Sequence, residues 1–134
     1  MTALEAFEGI NKTDGKKLKE AGVTSVENLL AQGATKKGRT QLETATGISG
    51  EKLMTWINRA DLCRVKGVGI QFAIVLETGG VMSLADLRKS KAAALHEKMV
   101  EVNSRKKKNP RQLPSLKQLE GWVEQAKTME KVVK

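Results

Sequence analysis

Apolar residues along this chain recur at helical spacing. Leu53, Trp56, Ile57 and Ala60 stand three and four positions apart, and Leu119, Trp122, Val123 and Ala126 repeat the pattern, which is the period of an amphipathic helix. No stretch alternates apolar and polar residues over a length that would make a strand. The punctuation between apolar runs is helical too. Ser25 and Ser83 read as N-caps, each followed by leucines on one face and by Asn28 or Asp86 three positions on. Gly22 and Gly80 stand where a left-handed residue ends the preceding helix. Thr35 is expected to cap a helix through about Thr46, ended by Gly47, and Ser49 to cap the next. A longer helix is expected from about Lys91 to Lys108, with Pro110 and Pro114 breaking it. Ser115 and Gln118 then have the spacing of a capping box. The fold class is all-α.

The same pattern occurs twice. At an offset of 58, Leu4 aligns with Leu62, Gly9-Ile10 with Gly67-Val68, Leu18 with Leu76, Gly22-Val23 with Gly80-Val81, Ser25 with Ser83 and Leu29 with Leu87. Later the offset becomes 66, and Leu53, Trp56, Ile57 and Ala60 meet Leu119, Trp122, Val123 and Ala126. The second half therefore carries eight extra residues, the difference between 66 and 58, located between Leu87 and Leu113. Two tandem, duplicated helical units are expected, 1–61 and 62–134, related by approximate two-fold symmetry. Units this small rarely bury enough surface alone, so they are expected to share one compact domain.

Composition narrows the chemistry. Among 134 residues there are two Trp, two Phe and no Tyr, so aliphatic side chains must supply the core. The longest uncharged run, Gly67 to Leu76, is too short to span a bilayer. The opening Met-Thr-Ala-Leu-Glu lacks the basic-then-apolar order of a signal peptide, so a cytoplasmic protein, with nucleoid association as one setting, is the expectation. Cys63 is the one cysteine and His96 the one histidine, which leaves no disulfide framework and no His/Cys metal set. Cys63 is expected to be half-buried and His96 exposed. No Ser/His/Asp constellation, carboxylate pair or nucleotide-binding glycine loop stands at a meaningful spacing, so neither an enzyme nor a cofactor is expected.

The net charge is +9, and it is uneven. Residues 1–61 hold 9 Lys/Arg against 8 Asp/Glu, whereas residues 62–134 hold 15 against 7. Much of the excess is Arg105, Lys106, Lys107, Lys108 and Arg111, in a basic insertion near 103–112. Such a cluster attracts polyanions through counterion release without reading sequence.

The segment from Leu62 to Leu76 carries the most information. Apolar residues flank Gly67-Val68-Gly69, with the small Ala73 four positions after the second glycine. Glycines there allow a reversal between helices, Val68 points to the core, and the turn opens a helix whose first amides form a phosphate cradle. This segment resembles a helix-hairpin-helix motif. Gly9-Ile10-Asn11, Gly47-Ile48-Ser49 and Leu113-Pro114-Ser115 read as degenerate copies. The first half is similar to the helix-hairpin-helix N-terminal domain of archaeal and eukaryotic strand-exchange recombinases, through Lys17-Leu18-Lys19-Glu20-Ala21-Gly22-Val23-Thr24-Ser25 and Thr46-Gly47-Ile48-Ser49-Gly50-Glu51-Lys52. Nearly the whole chain resembles the domain of unknown function 4332 family. The shared stretches are Trp56 to Leu62, Lys66-Gly67-Val68-Gly69, Val100-Glu101-Val102-Asn103 and Leu113-Pro114-Ser115.

The helix-hairpin-helix resemblance implies non-catalytic nucleic-acid binding, to DNA before RNA, through main-chain amides. In this sequence those are Gly67, Gly69, Gln71 and Phe72, with Gly9 and Asn11 in the first hairpin. Lys12, Lys16, Lys17 and the Arg105–Arg111 cluster would add phosphate contacts, which position the protein without reading bases. The resemblance also implies a monovalent-cation position at the carbonyls of Cys63, Val65 and Val68. Asn11, in place of the second glycine, is expected to adopt the left-handed conformation, and Gly69 to need special backbone angles. Trp56 and Trp122 have the spacing of core residues, with base stacking as the competing role. A protein-interaction or scaffold module that keeps the fold without phosphate contact is the alternative, favoured by the apolar Ile70 after the second glycine and by the near-neutral first half.

Overall fold

A computed structural model describes Leu4, residues 10–104, 113–130 and 132–133. These residues form eight α-helices and contain no strand: α1 (Lys12–Glu20), α2 (Val26–Gly33), α3 (Lys36–Thr46), α4 (Gly50–Leu62), α5 (Ile70–Thr78), α6 (Leu84–Lys89), α7 (Ala92–Ser104) and α8 (Leu116–Thr128). Contacts divide the chain into two units, one of Met1–Asp61 with Lys131–Lys134 and one of Leu62–Glu130. The helix expected from Lys91 is α7. Its described part ends at Ser104, and the basic residues Arg105–Lys108 and Arg111, like Gly9, lie outside the described residues.

Local hydrogen bonds explain where the helices start and stop. Ser25 and Ser83 accept from the amides of Asn28 and Asp86. The Asn28 and Asp86 side chains in turn accept from the amides of Thr24, at 3.3 Å, and Met82, at 3.1 Å. Gly22 and Gly80 both have φ of 92°, a left-handed conformation that only glycine adopts without strain. Directly after each, the amides of Val23 and Val81 return to the carbonyls of Leu18 and Leu76, 2.8 and 3.0 Å away. The same hydrogen bonds thus recur 58 positions apart. Thr35 caps α3 through the Gly38 amide, Ser49 caps α4 through the Lys52 amide, and Ser115 and Gln118 close both halves of the capping box on α8.

In the first unit α3 packs against both α1 and α2. Leu18, Val23, Leu29, Leu53, Trp56 and Ile57 are buried there. A Cβ added at Gly33 would lie 2.2 Å from the Ile57 side chain, so the end of α2 meets α4 only because that position carries no side chain.

In the second unit α8 packs against α6 and α7, and α7 against α5. Leu62, Leu76, Leu87, Met99, Leu119 and Trp122 lie in one buried cluster. Arg88 on α6 donates from Nε to the Ala126 carbonyl at 2.7 Å and from its guanidinium to the Met129 carbonyl. The Ala126 carbonyl also accepts from the Met129 amide at 3.3 Å, so one side chain adds to the closure of the α8 C-terminus and fastens it to α6. Both tryptophans are buried, in keeping with a core position. Cys63 is half-buried. His96 is half-buried rather than exposed, because it follows directly on the Leu95–Met99 stripe that α7 turns inward.

Candidate nucleic-acid interface

The reversal from α4 to α5 is built by short-range bonds and one distant support. The Val65 amide donates to the Leu62 carbonyl and the Val68 amide to the Val65 carbonyl, each at 3.0 Å. Between them the Lys66 amide donates 2.8 Å to Oε1 of Gln125 on α8. Arg64 reaches the Glu130 carbonyl. Gly67 has φ of 94°, and a Cβ there would stand 3.1 Å from Nε1 of Trp122. The Trp122 ring in turn packs against Phe72 on the first turn of α5, with centroids 5.3 Å apart. Side chains of α8 therefore hold the turn on one side. Val65 and Val68 are buried, while Gly67 and Gly69 are exposed. Of the carbonyls proposed to hold a cation, that of Val65 already accepts from Val68.

Gly69 corrects an expectation. It has φ of −88° and ψ of 178°, an extended conformation open to any residue, and a Cβ there meets nothing within 4 Å. The left-handed angle falls on Gly67 instead. Gly69 is the N-cap of α5 and offers no side-chain oxygen, and the first turn of α5 carries no acidic residue. The first α5 amide to close onto the helix is that of Ala73, which donates to the Gly69 carbonyl at 2.9 Å. Gln71 is exposed and Phe72 half-buried.

The corresponding position in the first unit is Asn11, and it too differs from expectation. Its φ of −81° and ψ of 177° are extended, not left-handed, because its side chain serves as an N-cap: Oδ1 accepts from the Asp14 amide at 2.8 Å. Asp14 is buried within that first turn. A side-chain oxygen and a carboxylate thus already occupy the positive end of α1. Lys12, Lys16 and Lys17 are exposed along α1, with Lys17 in its last turn.

Two cations missing from the sequence-derived set are Lys36 and Lys37, exposed on the first turn of α3, where no acidic residue offsets them. The signal was legible, since basic residues directly after an N-cap run against the helix dipole. Among the described residues no group of three or more His, Cys, Asp or Glu is arranged to hold a metal ion. No described helix is long and apolar enough to cross a membrane.

All-helical architecture, with a glycine turn opening one of its helices, is the class these residues define. Residues 8–129 match the family described as domain of unknown function (DUF4332), and the chain belongs to that family. No curated protein and no solved structure gives a significant match.

Proposed function

We propose that this protein is a non-catalytic, largely sequence-independent nucleic-acid-binding module, with DNA as its first partner. The reading also takes the chain as a duplicated helix-hairpin-helix protein, supported by the caps and left-handed glycines that recur 58 positions apart. The observation that carries it is the start of α5. There Gly69 supplies an exposed backbone with no capping side chain, and the first turn of α5 holds no acidic residue, which suits an anion at the positive helix end. Exposed Lys66 beside it and Lys12, Lys16 and Lys17 on α1 add sequence-independent phosphate contacts.

Fluorescence anisotropy of labelled duplex and single-stranded DNA and RNA, at about 50 and 200 mM salt, tests the proposal. Roughly six phosphate contacts change affinity about a thousandfold across that range. Gly69→Asp is the diagnostic variant, since its carboxylate caps α5 and repels phosphate while the fold has room for it. Micromolar, salt-steep binding that this variant weakens supports the reading. A folded protein that binds no nucleic acid at low salt ends it.

A protein-interaction module is the second reading, and one observation favours it. The large hydrophobic residues left exposed among those described, Met82, Val100 and Leu116, all belong to the second unit. In that case the basic surface would serve solubility, and the apolar residues would meet the partner.

A further inference from the structure

Residues 1–61 are near neutral in sum, but their charge is segregated. Seven of their nine Lys and Arg residues lie on α1 and α3, between Lys12 and Arg39, against Asp14, Glu20 and Glu43 on the same two helices. Asp14 is buried, which removes it from the surface balance. Since α1 packs against α3, two lysine groups that are far apart in sequence share one side-by-side helix pair. Lys12, Lys16, Lys17, Lys36 and Lys37 are all exposed. Among the described residues none of these five is held in an ion pair.

Beside α3 a cleft of about 390 Å³ is lined by Ala21 just past α1, Gln32 on α2, Thr35, Lys37 and Gln41, with Leu42 and Ala45 as its apolar part. Its polar wall is fixed from within the unit. Gln32 donates to the Gly22 carbonyl and to Asn28, and a Cβ at Gly38 would collide with the Gln32 carbonyl at 1.9 Å. Both Gln32 amide hydrogens are thereby spent within the unit, which leaves the Thr35 hydroxyl, the Gln41 carboxamide and the Lys37 ammonium lining the opening. That donor set suits a sugar–phosphate chain, which offers anionic oxygens and ring oxygens together.

We infer that the α1–α3 face of the first unit is a contact surface for the nucleic-acid backbone, with Lys36 and Lys37 as its newly assigned phosphate ligands and the start of α5 playing no part in it. The inference rests on the nucleic-acid reading above. A lipid surface is the other common polyanion, and amphipathic helices bind it by inserting apolar side chains. The large exposed hydrophobic residues among those described all lie in the second unit, so this face has basic charge without an apolar anchor.

The test is the salt dependence of duplex DNA binding by the full chain carrying Lys36→Gln and Lys37→Gln together. Loss of two phosphate contacts lowers the slope of log affinity against log salt by about 1.8, and it narrows the affinity change between 50 and 200 mM salt by about twelvefold. The paired Lys36→Arg and Lys37→Arg variant keeps the wild-type slope, and circular dichroism checks that each variant is folded. An unchanged slope in the folded glutamine variant, with wild type binding normally, overturns this inference and leaves the proposed function standing. No binding by wild type overturns both. Tighter binding to phosphatidylserine vesicles than to DNA at the same salt overturns the choice of partner.

Discussion

The starts of α1 and α5 occupy the same register in the two halves of the chain, 58 residues apart, yet they are built oppositely. Asn11 closes its helix end with its own carboxamide, with a buried aspartate a few residues on. Gly69 leaves the same end to solvent. The two backbones are nearly superimposable in conformation, with φ of −81° and −88° and ψ of 177° and 178°. The side chain alone makes the difference. A helix end closed by its own residues has little left to offer an anion, whereas one closed by nothing must be satisfied from outside or by water. Charge points the other way, since the exposed Lys12, Lys16 and Lys17 lie on α1, the helix with the closed end. Attraction and docking are therefore divided between the two halves in the proposed function.

The comparison can be broken most forcefully through the support of the open end. Trp122 packs against Phe72 and stands beside Gly67, so Trp122→Ala is expected to cost about 3–5 kcal/mol in urea unfolding and to disorder the turn with it. Exchanging the two caps is the next largest effect. Gly69→Asn is expected to weaken DNA binding about tenfold or more, through loss of a charge-assisted hydrogen bond, with the unfolding midpoint held or slightly raised. Gly67→Ala separates the two glycines of the turn. It is expected to destabilise by about 1–3 kcal/mol from the left-handed strain, whereas changes at Gly69 stay within about 0.5 kcal/mol. The smallest effect is Asn11→Gly, expected to lower stability by only a few tenths of a kcal/mol while improving affinity for duplex DNA at low salt. Equal affinity for Asn11→Gly and wild type would mean that the buried Asp14, rather than the cap, keeps phosphate from α1.

Much of the helical skeleton is legible in single residues because capping is local. Ser25, Thr35, Ser49, Ser83 and the Ser115–Gln118 pair each act on an amide three positions away, so the letters alone predict the bond. Gly22, Gly47 and Gly80 are legible for the same reason, as left-handed ends of helices. The candidate site is less so. Gly-Val-Gly does not say which glycine carries the positive φ. That choice falls to Gly67 in a turn braced by Gln125 and Trp122, more than fifty positions along the chain. Asn11 reads from its place in the motif as a left-handed turn residue, and the helix that folds after it makes it an N-cap instead. The packing of α1 against α3, which puts two groups of lysines on one helix pair, is invisible to any local pattern.

The bond between Lys66 and Gln125 joins residues 59 positions apart, and Arg88 reaches as far forward as Met129. Closing loops of that length is slow compared with forming a local cap. On a ribosome that emits the chain from its N-terminus, α1 to α3 can settle while the second unit still lacks its last helix. The glycine turn gains its α8 brace only after Gln125 has emerged. Its geometry is thus among the last parts of the chain to be completed, and a nascent chain arrested before α8 would display the lysines of α1 and α3 without a finished turn at α5.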